Sequence, residues 1–262
     1  MSRASRFCIK PIMRLALCIV LIALMLPGTA SSKGRNRWVR KNDALQCLND
    51  KGHAIKRIDL SKKLREERRG KKRIRVQETI SAEASANGQR LGLIRGIQER
   101  EIVEKGEGED LKTESNFELL DDAGNLRWKS SNVDAFKLSD SASRVLLRHY
   151  EPLTREQKLE GHIGLNHQWL SIYDDAGEEV FRFDPGEKKL IGQYGLTRNG
   201  RFGIANRACF SVASKEVHRP PEKIKGALQI QPDGRCQIVK YLREVDADGK
   251  QKVDVLYEYV LK

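Results

Sequence analysis

The chain has 262 residues, 49 Lys and Arg against 36 Asp and Glu, five Cys, and an apolar fraction of 39%. That length supports one large domain or two small ones with a genuine core. Mixed charge with ordinary glycine and proline content excludes collagen-like and wholly disordered chains, and five cysteines are too few for a disulfide-dense scaffold.

The formal charge of +13 is concentrated near the N-terminus. Residues 1–30 carry four basic side chains and no acid, and residues 31–75 carry 17 basic and 5 acidic ones. The remaining 28 basic and 31 acidic side chains leave the body of the protein slightly acidic. Overall basicity therefore says nothing about what residues 76–262 bind.

In chain order, a basic stretch with Arg3, Arg6, Lys10 and Arg14 precedes an unbroken apolar run from Leu15 to Leu26. Pro27-Gly28-Thr29-Ala30 then breaks the run and supplies small residues at the −3 and −1 positions of a cleavage site. This layout predicts a secretory signal peptide over residues 1–30 and export to the periplasm or beyond the cell. Twelve apolar residues rise about 18 Å as a helix, short of a ~30 Å hydrocarbon core, so no transmembrane segment is expected after cleavage.

Residues 31–75 read as a basic arm, with a possible hairpin at 47–59 and helix-forming composition from Leu60 to Gly70. Arg35, Arg37, Arg40, Lys41, Arg68, Arg69, Lys71, Lys72 and Arg73 form its candidate binding set for an anionic lipid or polymer. A solvated, mobile arm is the competing expectation. Nucleic acid is disfavoured by export and by the presence of a single aromatic, Trp38, for base stacking.

From residue 47 onward two turn types recur. Asn49-Asp50-Lys51-Gly52, Asp121-Asp122-Ala123-Gly124, Asp174-Asp175-Ala176-Gly177 and Asp246-Ala247-Asp248-Gly249 each precede a short apolar or aromatic run. Glycine supplies the positive φ of a tight hairpin, and the Asx side chain accepts hydrogen bonds from the turn's own backbone. The second type appears at Ser85–Arg90, Ser139–Arg144, Thr197–Arg201 and Gln231–Arg235, each ahead of an apolar strand. Positions 88, 142, 200 and 234 are spaced by 54, 58 and 34 residues, which suits repeated four-stranded units.

These turns and strands resemble bacterial β-propeller repeats of the WD-like and quinoprotein-like kind. The resemblance implies an all-β, propeller-like domain over 76–262, with units near 76–130, 131–184, 190–222 and 225–262. The 47–59 hairpin could add to a fifth unit, and a β-sandwich is the alternative. The hairpin near Val217 lacks its Asp-Gly, and only Trp38, Trp128 and Trp169 are present as tryptophans. The C-terminal stretch Val253–Leu261 has strong β propensity and is expected to pair with an N-terminal strand such as Ile74–Ile80.

Two polar segments, 97–115 and 150–168, read as insertions between strands, where binding residues concentrate. Cys209 and Cys236, both in strand-like stretches, are the favoured disulfide pair, with buried free thiols as the alternative. His53, His149, His162, His167 and His218 show no metal-ligand spacing, and Asp246–Gly249 lacks the distal Glu of a calcium loop. With no nucleophile elbow or phosphate loop, no catalytic residue, metal site or cofactor is assigned. The expectation is a binding module for a protein or glycan. A propeller-type hydrolase or lyase acting on carbohydrate or peptide is the alternative, with His149, His162 or His167 meeting a carboxylate in one cleft.

Overall fold

The computed structural model describes residues 36–103, 110–154, 156–157, 165–186, 189–246 and 248–262. The expected signal peptide, Arg35, His162 and most of the 97–115 and 150–168 loop tips lie outside them. No helix among the described residues is long and apolar enough to cross a membrane.

The fold is an all-β, propeller-like array of five antiparallel meanders taken in chain order. Sheet 1 holds β1 (Arg37–Lys41), β2 (Ala44–Leu48) and β3 (Ala54–Asp59). Sheet 2 holds β4 (Lys63–Arg69), β5 (Lys72–Ala84), β6 (Leu91–Ile102), β7 (Asp110–Leu120) and β8 (Leu126–Ser131). Sheet 3 holds β9 (Val133–Leu138), β10 (Arg144–Pro152), β11 (Leu165–Asp174) and β12 (Glu179–Phe183). Sheet 4 holds β13 (Tyr194–Leu196), β14 (Phe202–Ala205), β15 (Ala208–Ser211) and β16 (Val217–His218). Sheet 5 holds β17 (Ala227–Ile230), β18 (Arg235–Val245) and β19 (Gln251–Val260).

Both turn families have one construction each. In the hairpin turns, Oδ1 of Asn49, Asp121, Asp174 and Asp246 accepts the N–H groups two and four residues ahead at 2.8–3.0 Å. In the other family, the hydroxyl of Ser85, Ser139 or Thr197 accepts the N–H five residues on at 3.0–3.1 Å. These second turns also bond to one another. Asn87 N–H donates to the Asp140 carbonyl, Asp140 N–H to that of Arg198, and the Asn199 amide to that of Pro232. The result is a ladder along one rim, here the turn rim, that ties sheets 2 to 5 together.

Apolar side chains pack between consecutive sheets, and four core clusters join five sheets. Trp38, Leu45 and Cys47 meet Leu91, Leu93 and Leu120 between sheets 1 and 2. Ile94 and Phe117 meet Val133, Phe136, Val145 and Leu147 between sheets 2 and 3. Leu146, Ile172 and Phe181 meet Ala208 and Phe210 between sheets 3 and 4. Phe202 and Cys209 meet Cys236 and Ile238 between sheets 4 and 5, where Cys209 and Cys236 are joined as a disulfide. Each fully buried Leu, Ile or Phe stabilises by roughly 1.5–3 kcal/mol. Among the described residues no cluster joins sheet 5 back to sheet 1, so the array is open.

Hairpin turns dock on the preceding sheet. The Asp121 carbonyl accepts Trp38 Nε1–H at 2.9 Å, and the Gly124 carbonyl accepts Lys56. Asp175 forms ion pairs with Arg90 and Arg127 of sheet 2. Gly177, at φ 88°, lies so close to Trp128 that a Cβ would stand 2.7 Å from its ring.

Three expectations change. Residues 60–70 are not helical: Lys63–Arg69 is β4, stabilised by cross-strand ion pairs that helical composition does not reveal, such as Arg65–Glu78 and Arg73–Glu66. The boundary at 75/76 falls inside β5, so the basic segment divides between sheet 1 and the edge of sheet 2 rather than forming a separate arm. The C-terminal strand does not reach Ile74–Ile80, because β5 is already paired on both sides by β4 and β6; β19 pairs only with β18. The Asp246 turn matches its three counterparts in construction but sits on the opposite rim, joining the second and third strands of its sheet.

Candidate functional site

Strand direction sorts the connections by rim. The β6–β7 and β10–β11 connections both fall on the rim away from the turn ladder, here the loop rim. The expected insertions at 97–115 and 150–168 shrink accordingly: 97–102 and 110–115 belong to β6 and β7, and 150–152 and 165–168 to β10 and β11, which leaves only 103–109 and 153–164 as connections. The Ser115 hydroxyl donates to the Val133 carbonyl, Ser115 pairs with Gly96, and Val133 pairs with His149. Gly96 and His149 are therefore level along the strands but stand on opposite sides of the β7–β9 contact, and none of His149, His167, Trp169 and Tyr173 lines the groove on sheet 2.

The sheet 2 wall is a polar grid. Gln77, Thr79 and Ser81 of β5 stand beside Gln98, Gly96 and Ile94 of β6, which stand beside Thr113, Ser115 and Phe117 of β7. The inner end of this grid is core, and the outer end is a groove of about 350 Å³ with Asp134 at its edge. Among the described residues the side chains of Gln77, Thr79, Ser81 and Thr113 make no hydrogen bond, so their donors and acceptors are open to a ligand. Gly96 keeps the floor low: a Cβ there would lie 2.6 Å from Thr79 Oγ1.

The sheet 3 wall is aromatic and charged. Alternation along β10 and β11 puts His149, Trp169, His167 and Tyr173 on the face that carries Val145 and Leu147 toward sheet 2. His149 stacks on Trp169 at 5.2 Å between ring centroids and 8° between planes, and His167 lies 5.8 Å from the same indole. The Arg182 guanidinium stands 4.9 Å from the Trp169 ring centre, close enough for a cation–π contact.

Electrostatics distinguish the two histidines. Burial pushes the His149 imidazole below its ordinary value, against the opposing pull of a Ser131 backbone hydrogen bond and the Glu179 carboxylate. Its Nε2 is 3.1 Å from the Tyr173 hydroxyl, which is 3.5 Å from Glu179. His167 Nε2 is 3.2 Å from the Asp184 carboxylate, and its Nδ1 is buried with no hydrogen-bond partner among the described residues. Burial pushes the Asp184 carboxyl up, but the Gly186 N–H and the His167 ring hold it below the usual carboxylate range. Asp134 is anchored by Arg148 at 2.7 Å and the Gln168 amide at 2.8 Å.

Of the basic set, Arg37, Arg40 and Lys41 are exposed on β1. Arg69 is paired with Glu67 and Glu99, Lys72 with Glu101, and Arg73 with Glu66. Arg68 and Lys71, at the β4–β5 hairpin, have no ion pair among the described residues. The hairpin's positive charge is thus largely met by its own glutamates, and it lies on a different sheet from β1. Trp169 and the grid residues went unnoticed in the sequence, although the alternation of polar residues in Gln77-x-Thr79-x-Ser81 and Thr113-x-Ser115 carried the signal.

No family model matches the chain, and no curated protein matches it in sequence. Among solved structures it is similar to the β-propeller domain of the trilobed protease from Pyrococcus furiosus, with 11% identity and a TM-score of 0.41. That likeness covers 69% of this chain and 57% of the other. An acylaminoacyl peptidase matches at 10% identity and a TM-score of 0.37, over 87% of this chain and 39% of that one.

Proposed function

We propose that the chain is an exported binding module of the WD-like propeller kind that holds a saccharide in the cleft between sheets 2 and 3. One observation carries the reading: the side chains of Gln77, Thr79, Ser81 and Thr113, which make no hydrogen bond among the described residues, line one groove of about 350 Å³. A sugar ring presents hydroxyls that meet such donors and acceptors. A groove of a few hundred Å³ suits a ligand of one or two rings. The basic segment over residues 1–30 with its apolar run supports export.

The test is a glycan array followed by titration of any hit with the purified protein. T79A combined with T113A should weaken binding at least tenfold with an unchanged circular dichroism spectrum, and G96V, which fills the groove floor, should do the same. Binding that survives both substitutions, or a protein that retains no saccharide, would refute the assignment. The His167–Asp184 pair supports a second reading, a hydrolase or lyase, because a carboxylate that orients an imidazole is the arrangement of a general base. Turnover of the bound saccharide that is lost in D184N would establish it.

A further inference from the structure

The units repeat closely enough to compare position by position, and one ion-pair site is filled at one junction and open at the next. Between sheets 2 and 3, Arg90 donates from Nε and Nη2 to the two carboxylate oxygens of Asp175 at 2.9 and 3.2 Å, and Arg127 joins them from β8. Arg144 is the counterpart of Arg90 one sheet on, since each closes its serine turn through its own carbonyl. Strand pairing fixes the other positions. Arg144 pairs with Asp174 as Phe202 pairs with Ser211, so Val212 stands where Asp175 does. Val180 is the counterpart of Arg127, each being the extra residue at the bulge of its hairpin. The aspartate that Arg144 would meet is therefore missing. In its place lies a groove of about 470 Å³ on the turn rim, where Arg144, Arg201 and Lys215 surround Val180 and Val212 and no carboxylate contributes among the described residues. None of these three cations has an ion pair among the described residues. Lys215 occupies the position of Gly177, at φ 61° against 88°, a conformation that costs a lysine more than a glycine.

We propose that this groove binds a small di- or tricarboxylate, one carboxylate of which takes the place that the Asp175 side chain holds between sheets 2 and 3. Arg90 shows that a guanidinium at this point of the repeat receives a planar carboxylate on two nitrogens. That two-point, charge-assisted fit distinguishes carboxylate from a mere point charge. A single carboxylate answers one cation, and Arg201 and Lys215 call for a second negative group. Val180 and Val212 give the carbon chain of such a ligand an apolar floor. The volume is within the range of small-molecule sites. The groove lies on the rim opposite the one lined by Gln77 and Thr113, so the two sites are independent.

The test uses the full chain with citrate as the probe, read by calorimetry and by thermal unfolding at fixed ionic strength. Citrate should bind and raise the unfolding midpoint. R144Q, which keeps the stem that packs on Gly200, should weaken binding at least tenfold. R201Q combined with K215Q should do the same. R198Q removes a charge from the same turn but outside the groove, and T79A combined with T113A alters the far rim. Both should bind citrate as the parent does. Phosphate at the same ionic strength should bind at least tenfold more weakly than citrate. No citrate binding, binding indifferent to R144Q, equal weakening by R198Q, or phosphate bound as tightly as citrate would overturn the assignment.

Discussion

At the residue scale, much of the fold rests on a few side chains that satisfy backbone groups at turns. Asp174 accepts two N–H bonds that water would otherwise have to meet within a turn packed against Trp128. D174A should cost about 1–2 kcal/mol in urea unfolding, whereas D174N should cost a few tenths. Asn49 shows why: an amide oxygen makes the same two bonds in sheet 1. The turns were legible in the sequence because their hydrogen bonds are local, made within five residues. The Trp169 stack was not, since its partners stand 20 residues away on β10 and 13 away on β12 and meet only through strand pairing.

His149 sets a pH dependence of definite sign. Its imidazole titrates lower in the folded protein than the ~6.5 of an unfolded chain. As pH falls, the unfolded state takes up the proton first. The stabilisation is therefore complete above that value and is lost as pH drops toward the folded value. The unfolding midpoint should fall between pH 7 and pH 5, and H149F should flatten that slope. Asp175, held low chiefly by its hydrogen bond from Arg90, acts only below the ordinary carboxylate range of about 4; His218, also pushed down by burial, adds to the slope with the same sign, so H149F removes part of it.

At the element scale, residues 60–70 show where local composition misleads. Leu64-Arg65-Glu66-Glu67-Arg68 has the residues of a good helix. Yet a strand here lets Arg65, Arg69, Lys72 and Arg73 each meet a glutamate on the same or a neighbouring strand. Each exposed pair contributes at most about 1 kcal/mol, but together they consume the charge that a free arm would have offered to an anionic surface. β5 and β6 run side by side for twelve paired positions, and that non-local pairing overrides the propensity of β4.

At the scale of the whole molecule, each sheet packs on its neighbours in chain order among the described residues, so stability is a chain of adjacent interfaces. Sheet 5 is the exposed terminus, held by the ladder, one core cluster and the Cys209–Cys236 bond. His218 stacked on Tyr259 and the Glu216–Tyr259 hydrogen bond add to its attachment. Removing the disulfide as C209S/C236S should cost about 2–4 kcal/mol. In hydrogen exchange the loss should appear in β17–β19 and leave sheets 1 to 3 unchanged. Uniform loss across all five sheets would show that the array unfolds as one unit. The repeat was legible from turn spacing; the openness was not, because it depends on which sheets pack against each other.

Cys47 adds a consequence of another kind. Its thiol is fully buried between sheets 1 and 2, lies 2.7 Å from the Asp122 carbonyl, and is pushed up by burial away from the reactive thiolate. On the proposed export, with residues 1–30 removed, the three thiols left at 47, 209 and 236 can pair in three ways, and two of these are dead ends. Sheets 1 and 2 are complete by residue 131, well before Cys209 in the chain. A chain that arrives N-terminus first can therefore lock Cys47 away before either competitor appears. Correct pairing then follows from the order in which the sheets form, without help from any chemical difference among the thiols.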